Sequence, residues 1–414
     1  MRVLFLATNY SIGSNMSGIG LRIWELSQVL SAHFEVTILS NNFIDITHPG
    51  ITCRLFDENT WKGEINKADT IICYDLPDPR LLLYANSINK QIITENAIPL
   101  EHLDYHSIKN SNNPNDYYRN ILTNFKLQLL LSDFFITRAR IEETTLISAL
   151  ALLDRVNYST YTKNNQLSSM ITYIPIGFNL FSDKHKEQCH TYSKSADFIW
   201  NGGIWDYYQT NILPETIHNL KLEGEESSLL FMYSPPDNQI IDEFSTMLSN
   251  IKKYNIEDKI YFPPHPIKHF ERDSVLKKTH ALICIGRDTI ENYTCHRLRL
   301  RDVFLYEKPI IIDDFGATAE LVRKLNIGIT INNKEELLKA MIKLKRDSEF
   351  YNSLVDNIRK VREHFIINHH TLKLVNYIKS QQRAPDINSE VRKNNIEEIL
   401  KKFPILKEQP TYPF

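Results

Sequence analysis

The sequence has no charge excess, no cysteine pairing pattern and no long apolar run. Its 48 lysines and arginines against 50 aspartates and glutamates leave a formal charge of −2. That balance excludes a nucleic-acid binder that works by neutralising many phosphates. Any anionic ligand must be met by a local cluster of cations, because the overall field supplies none. The five cysteines, Cys53, Cys73, Cys189, Cys284 and Cys295, are odd in number and form no CxxC pair. Neither a disulfide framework nor a zinc knuckle is expected, and reduced thiols in a cytoplasmic protein are the simple reading. The opening MRVLFLATNY holds only a five-residue apolar run before Thr8, too short for a signal peptide, and no apolar stretch reaches bilayer-spanning length. Also missing are an internal repeat of solenoid period, a long low-complexity tract and the GxGxxG dinucleotide fingerprint.

What is present is a composition of 42% hydrophobic and 24% charged residues over 414 positions. This is globular in type, and too long for one ordinary core, so two domains are expected. Short β-rich runs alternate with helical stretches: Arg2–Ala7, Glu35–Ser40, Thr70–Tyr74, Gln91–Glu95, Asp133–Thr137 and Ile171–Ile174. After a polar, aperiodic linker at Gly177–Asp197 the pattern restarts with Asp197–Asn201, Leu229–Tyr233, Lys259–Phe262, His280–Ile285, Pro309–Asp313 and Gly328–Ile331. Such spacing predicts an α/β protein of two doubly wound, Rossmann-like domains with parallel sheets, facing each other across a cleft. The expected boundaries are 1–180, 181–365 and a tail, 366–414, in which a helix to about Ser380 and a second, Val391–Phe403, return towards the first domain. The second helix mixes both charge signs, which suits docking on its own protein better than a membrane surface.

In doubly wound sheets ligands sit beyond the carboxyl ends of the strands, which selects the loops after Ala7, Thr94, Asn201, Phe262, Ile285 and Asp313. The most unusual segment is ENYTCHRLRLRDVFLYEKP, residues 291–309, where Arg297, Arg299 and Arg301 stand among core-like leucines. On one helix from Cys295 to Tyr306, Arg297 and Arg301 fall one turn apart and Arg299 points elsewhere. Buried cations need anions. Two readings are open: a bound diphosphate near a helix start, or internal ion pairs such as Arg301 with Asp302 or Glu307. Other cleft-facing loops add Gly18, Gly20 and Arg22 after the first strand, Gly202 and Gly203 with Trp205 and Asp206, and Arg272 and Arg287. His265 and His269 have a metal-like spacing, as does HFIINHHT (364–371), but Pro266 breaks the former and no third ligand is evident. On the first domain's side, Glu95 or His102 could orient or deprotonate a ligand hydroxyl.

These segments together resemble GT-B-fold glycosyltransferases, close to the retaining family 4, over roughly residues 1–365. Glu291, the following helix, the EKPIII strand and DDFGATAELV are similar to that family's donor motif. Arg297-Leu298-Arg299-Leu300-Arg301-Asp302 resembles a subgroup's RTRxLD helix, and SDFFITRARIEETTLISALALLDRVN and GIGLRIWELSQVLS resemble its first-domain segments. The resemblance implies transfer of a sugar from a nucleotide-diphosphate sugar, a co-substrate and not a cofactor, to a hydroxyl acceptor, with retention and no metal. A bacterial surface glycan or glycoconjugate acceptor, and a cytoplasmic protein with peripheral membrane contact, are implied by the same association.

By that resemblance Glu291 accepts hydrogen bonds from donor-sugar hydroxyls. Arg297 and Arg299 face the donor phosphates or brace the loop that holds them, while Gly18 and Gly20 approach the diphosphate from the opposing domain and Gly202 and Gly203 form the turn at the donor cleft. The sequence departs from the family twice: Arg299 stands where a second Glu is usual, and NGGIWDYYQT lacks the usual cation pair. A nucleotide-sugar epimerase and a non-catalytic partner subunit are the rival readings.

Overall fold

The computed structural model describes residues 1–402 apart from 43, 96–99, 101–102, 104–107, 109, 185–193 and 236–240. Its first sheet contains β1 (Arg2–Ala7), β2 (Glu35–Ser40), β3 (Ile51–Leu55), β4 (Thr70–Tyr74), β5 (Gln91–Glu95), β6 (Phe134–Thr137) and β7 (Ile171–Tyr173), in the order β3-β2-β1-β4-β5-β6-β7. The second contains β8 (Phe198–Trp200), β9 (Leu229–Phe231), β10 (Ile260–Tyr261), β11 (Ala281–Cys284), β12 (Ile310–Asp313) and β13 (Gly328–Ile331), in the order β10-β9-β8-β11-β12-β13. Every paired strand is parallel. The cause is legible in the strands themselves: TIICY, QIITE, FFIT and ALIC are buried along their whole length, which requires helices on both faces and therefore crossover connections.

The two doubly wound domains match the expectation. Two local departures have physical causes. β3 was not foreseen, because ITCRL is an edge strand whose side chains mostly face solvent and so carries no apolar run. The single helix expected from Cys295 to Tyr306 is instead a short helix at Ile290–Thr294, a non-helical stretch, and a second helix at Leu300–Tyr306. Cys295 is extended (φ −104°, ψ 150°), and the Arg297 N–H donates to the Thr318 hydroxyl at 3.0 Å and not to a helical carbonyl. Arg297 and Arg301 therefore do not share a helical face.

In each sheet the strand order reverses beside the first strand of its half, between β1 and β4 and between β8 and β11. That reversal opens a crevice at the carboxyl ends. The chain crosses between domains twice, and the two crossings pair: Phe178 N–H donates to the Phe365 carbonyl at 3.1 Å, and Ile367 N–H to the Phe178 carbonyl at 2.9 Å. After the second crossing the Leu372–Ser380 helix inserts Leu374, Val375, Tyr377 and Ile378 into the core that holds Val3, Phe5 and Ile72. The last described helix, Glu390–Lys402, lays Ile396 and Ile399 against the other face of the same sheet.

The tail is pinned by buried charge. Arg155, fully buried, makes a two-pronged contact with Asp386 at 2.7 and 2.8 Å, Arg392 donates to the same carboxylate at 3.1 Å, and Arg383 pairs with Asp133 at 2.7 Å. Burial works to raise the Asp386 pKa, but the two guanidinium groups outweigh it and hold the carboxyl below its ordinary range. A depressed folded-state pKa contributes stability that is present above the unfolded value of about 4 and lost as pH falls below it. Asp386→Ala should cost about 3–5 kcal/mol, because it leaves two buried cations with one anion fewer. Urea unfolding at neutral pH measures the loss, and the gap between wild type and variant should narrow as pH drops below about 4.

Candidate functional site

The crevices of the two sheets face each other and enclose one cleft of about 520 Å³. The β1 loop and the start of the Gly18–Ser31 helix supply one wall. The β8 loop and residues 291–302 supply the other. Ser17 caps that first helix by accepting from the Gly20 N–H at 3.1 Å. Gly18 lets the two walls touch, since a Cβ there would lie 3.1 Å from Leu298 of the other domain. Gly20 serves the loop itself: a Cβ would fall 2.3 Å from the Ser11 carbonyl oxygen.

The arginines around this cleft are mostly neutralised from within. Arg22 turns back into its own domain, sharing Glu95 at 3.2–3.3 Å and donating to the Pro175 and Ile174 carbonyls at 2.6 and 2.8 Å. Glu95 is buried in that pair and does not line the cleft. Arg138 pairs with Glu142 at 3.0 Å. Arg297 grips Asp313 at the end of β12 with two hydrogen bonds, 2.6 and 3.0 Å, and donates to the Cys284 carbonyl at 3.1 Å. Arg287 binds Glu243 and the Asp206 carbonyl, off the cleft. His102 lies outside the described residues.

Arg301 reaches across the domain boundary. Its Nε and Nη2 donate to Glu25 of the first helix at 2.9 and 2.6 Å, and its Nη1 to Asp302 at 2.8 Å. Asp302 also accepts from Asn201 at 2.7 Å and from Arg272, which in turn binds the Tyr233 hydroxyl. Nearby, the His269 N–H donates to the Ser14 carbonyl of the other domain at 2.6 Å. Burial, helped by the charges of Arg301 and Arg272, pushes the His269 pKa down to about 3, so the ring adds no charge at neutral pH.

Arg299 is different. Its guanidinium packs against two aromatic rings set nearly at right angles to each other, 4.5 Å from the Trp200 centroid and 4.2 Å from the Tyr208 centroid. One amino group donates to the Gly203 carbonyl at 2.7 Å. The other, Nη1, is buried without a hydrogen-bond partner among the described residues, and no carboxylate there pairs with the group. Gly202 is required for this placement, since a Cβ would sit 2.5 Å from Arg299 Nε. Cation–π contact of this kind contributes about 0.5–2 kcal/mol and holds the cation in place without cancelling its charge. Glu291, buried in the first turn of the Ile290–Thr294 helix, lines the same cleft with His296.

The structure thus brings Gly18, Arg22, Gly202, Gly203, Arg272, Glu291, Arg297 and Arg299 to one cleft and leaves Gly20, Glu95 and Arg287 outside its lining. Of the two readings of the arginine segment, internal ion pairs hold for Arg297 and Arg301, with Asp313 and with Glu25 and Asp302 as their anions. Glu25 escaped sequence reading, although a carboxylate between Trp24 and Leu26 in an apolar helix signals a buried partner. Among the described residues no group of three or more His, Cys, Asp or Glu is placed to hold a metal ion, and no helix is long and apolar enough to cross a membrane.

No family model and no curated protein matches the chain, but solved structures do. Sucrose-phosphate synthase from Thermosynechococcus elongatus is 12% identical with a TM-score of 0.63, over 92% of this chain and 100% of that one. Anabaena HepE in complex with UDP-glucose is 12% identical with a TM-score of 0.62, over 92% and 100%. WaaG, a glycosyltransferase involved in lipopolysaccharide biosynthesis, is 10% identical with a TM-score of 0.57, over 94% and 100%. At these identities the likeness establishes the fold, the two-domain GT-B architecture of glycosyltransferases.

If the Glu25–Arg301 pair closes the cleft, Glu25→Ala should loosen it. Removing one partner of a buried pair costs about 3–5 kcal/mol. The variant should melt earlier and show a larger radius of gyration by small-angle scattering; an unchanged radius would mean that other contacts hold the domains together.

Proposed function

We propose that this chain transfers a sugar from a nucleotide-diphosphate sugar to a hydroxyl acceptor, with retention of anomeric configuration and without a metal ion. The observation that carries the reading is Arg299, a cleft arginine with no carboxylate partner among the described residues, packed against Trp200 and Tyr208 where the second sheet reverses its strand order. A cation held so is preorganised for an anion that arrives and gains charge. Departure of a diphosphate from an oxocarbenium-like carbon is such a case, and stabilising the leaving charge is usually the largest catalytic contribution. HepE, which has the same fold, holds UDP-glucose, and that supports a nucleotide sugar as donor here.

In this reading Glu291 accepts hydrogen bonds from donor-sugar hydroxyls, and Gly18 brings backbone from the first domain against the diphosphate. Arg297 and Arg272 act one step back, through Asp313 and Asp302, to keep the donor wall in shape. The bond from the anomeric carbon to the phosphate oxygen breaks with its electron pair left on the diphosphate. The acceptor oxygen adds to the same face, and its proton passes to that leaving oxygen. No protein base is then needed, which agrees with Glu95 being engaged by Arg22. WaaG takes part in lipopolysaccharide biosynthesis, and by that likeness the acceptor is a bacterial surface glycan or glycoconjugate met at the inner face of the membrane.

A panel of nucleotide sugars, scored for binding and slow hydrolysis, tests the reading; silence across the panel would favour a non-catalytic partner subunit. Arg299→Ala should weaken binding of the best donor about 10- to 100-fold, the worth of one charge-assisted hydrogen bond, with an unchanged near-UV spectrum. Equal affinity in the variant would remove Arg299 from the site. Arg297→Ala should instead lower stability, by about 3–5 kcal/mol in urea, because it strands Asp313 in the interior.

A further inference from the structure

A second polar cavity, of about 410 Å³, opens at the opposite edge of the second sheet from the cleft. The registers Phe198–Leu229, Ala281–Phe198 and Leu282–Ile310 put the residue just before each of β9, β8 and β11, and the second residue before β12, in one row. That row reads Ser228, Asp197, His280, Lys308, and all four line the cavity together with Ser195, Lys278, Thr279 and Tyr351. A row of polar groups at the amino ends of central strands is unremarkable if its charges cancel. Here they do not.

Asp197 is fully engaged. One oxygen takes Lys345 Nζ at 2.5 Å, and the other accepts from the Ser228 N–H and hydroxyl at 2.9 Å each. His280 lies flat on Tyr351, with centroids 4.1 Å apart and planes 15° apart. Its Nε2 donates to the Leu344 carbonyl at 2.7 Å, and burial lowers its pKa, so the ring is neutral. Lys308 and Lys278 remain. Neither ammonium pairs with a carboxylate among the described residues, and burial, only partly offset by Glu307, lowers the Lys308 pKa. Two cations on one open polar wall, with hydroxyls beside them and the single carboxylate of the lining already neutralised, make a receptor for a compact anion.

We infer that this cavity is a phosphate-group site, with Lys308 and Lys278 neutralising the charge and the Ser195 hydroxyl donating to it. The site is separate from the cleft and independent of what the cleft does. Its ligand is inorganic phosphate or the phosphate of a small phosphomonoester, and the two sources are separable by experiment. The full chain is titrated calorimetrically with inorganic phosphate and with a sugar monophosphate, alongside Lys308→Met, Lys278→Ala and Arg299→Ala. One-to-one binding that weakens on the order of ten-fold in Lys308→Met, and persists in Arg299→Ala, supports the site. Tighter binding of the sugar monophosphate identifies a phosphomonoester as the ligand, and equal affinity identifies free phosphate. Lys278→Ala, at an exposed position, repeats the test should Lys308→Met fold poorly. Binding lost in Arg299→Ala but kept in both lysine variants would place the anion in the cleft and overturn the inference, as would no binding of either probe at millimolar concentration.

Discussion

The cleft depends on an ion pair that joins residues 276 positions apart, Glu25 and Arg301. Both side chains are nearly inaccessible, at 1% and 7% exposure. Taking two charges out of water costs several kcal/mol each, and the cost is recovered only where geometry is good and the remaining hydrogen bonds are met. Here they are met. Asp302 takes another donor of Arg301, and itself gathers Asn201 and Arg272. The carboxylate of one domain thereby finishes a network that begins in the other. Separating the domains would expose or orphan each member, so the approach of the two sheets and the order of the donor wall are one property.

That arrangement explains why so many guanidinium groups can line a small cleft. Arg22, Arg138, Arg272, Arg297 and Arg301 each have a carboxylate within reach, so they shape the walls without flooding the space with positive potential. Arg299, with no carboxylate partner among the described residues, is held instead by aromatic faces. Aromatic rings orient a cation but leave its charge available. The uncancelled positive charge of these arginines is therefore concentrated at one position.

How much of this was visible in the chain follows from the range of each interaction. Strands buried on both faces declare themselves locally, and so two parallel sheets could be laid out from apolar runs, but the order of their strands came only with the structure. β3 could not, because an exposed edge strand is stabilised by its neighbour and not by its own apolar face. The helix proposed across Cys295–Tyr306 failed because tertiary contacts overrode propensity: Thr318 captures the Arg297 N–H and Asp313 its guanidinium. For the same reason the sequence could show that Arg297 and Arg301 needed anions, but not that Asp313 and Glu25 would be those anions. Glu95 was found for its place beyond a strand, and its partnership with Arg22 was hidden by 73 intervening positions.

The tail places a demand on synthesis. The first domain is assembled from two separated stretches, since Leu374, Val375 and Ile378 complete a core begun by Val3 and Phe5. A ribosome emits the second domain in full before it emits those residues. The amino-terminal sheet must wait, with part of one face uncovered beside its first helix, while its younger neighbour is made and folds. The part of the molecule that is born first is the last to close.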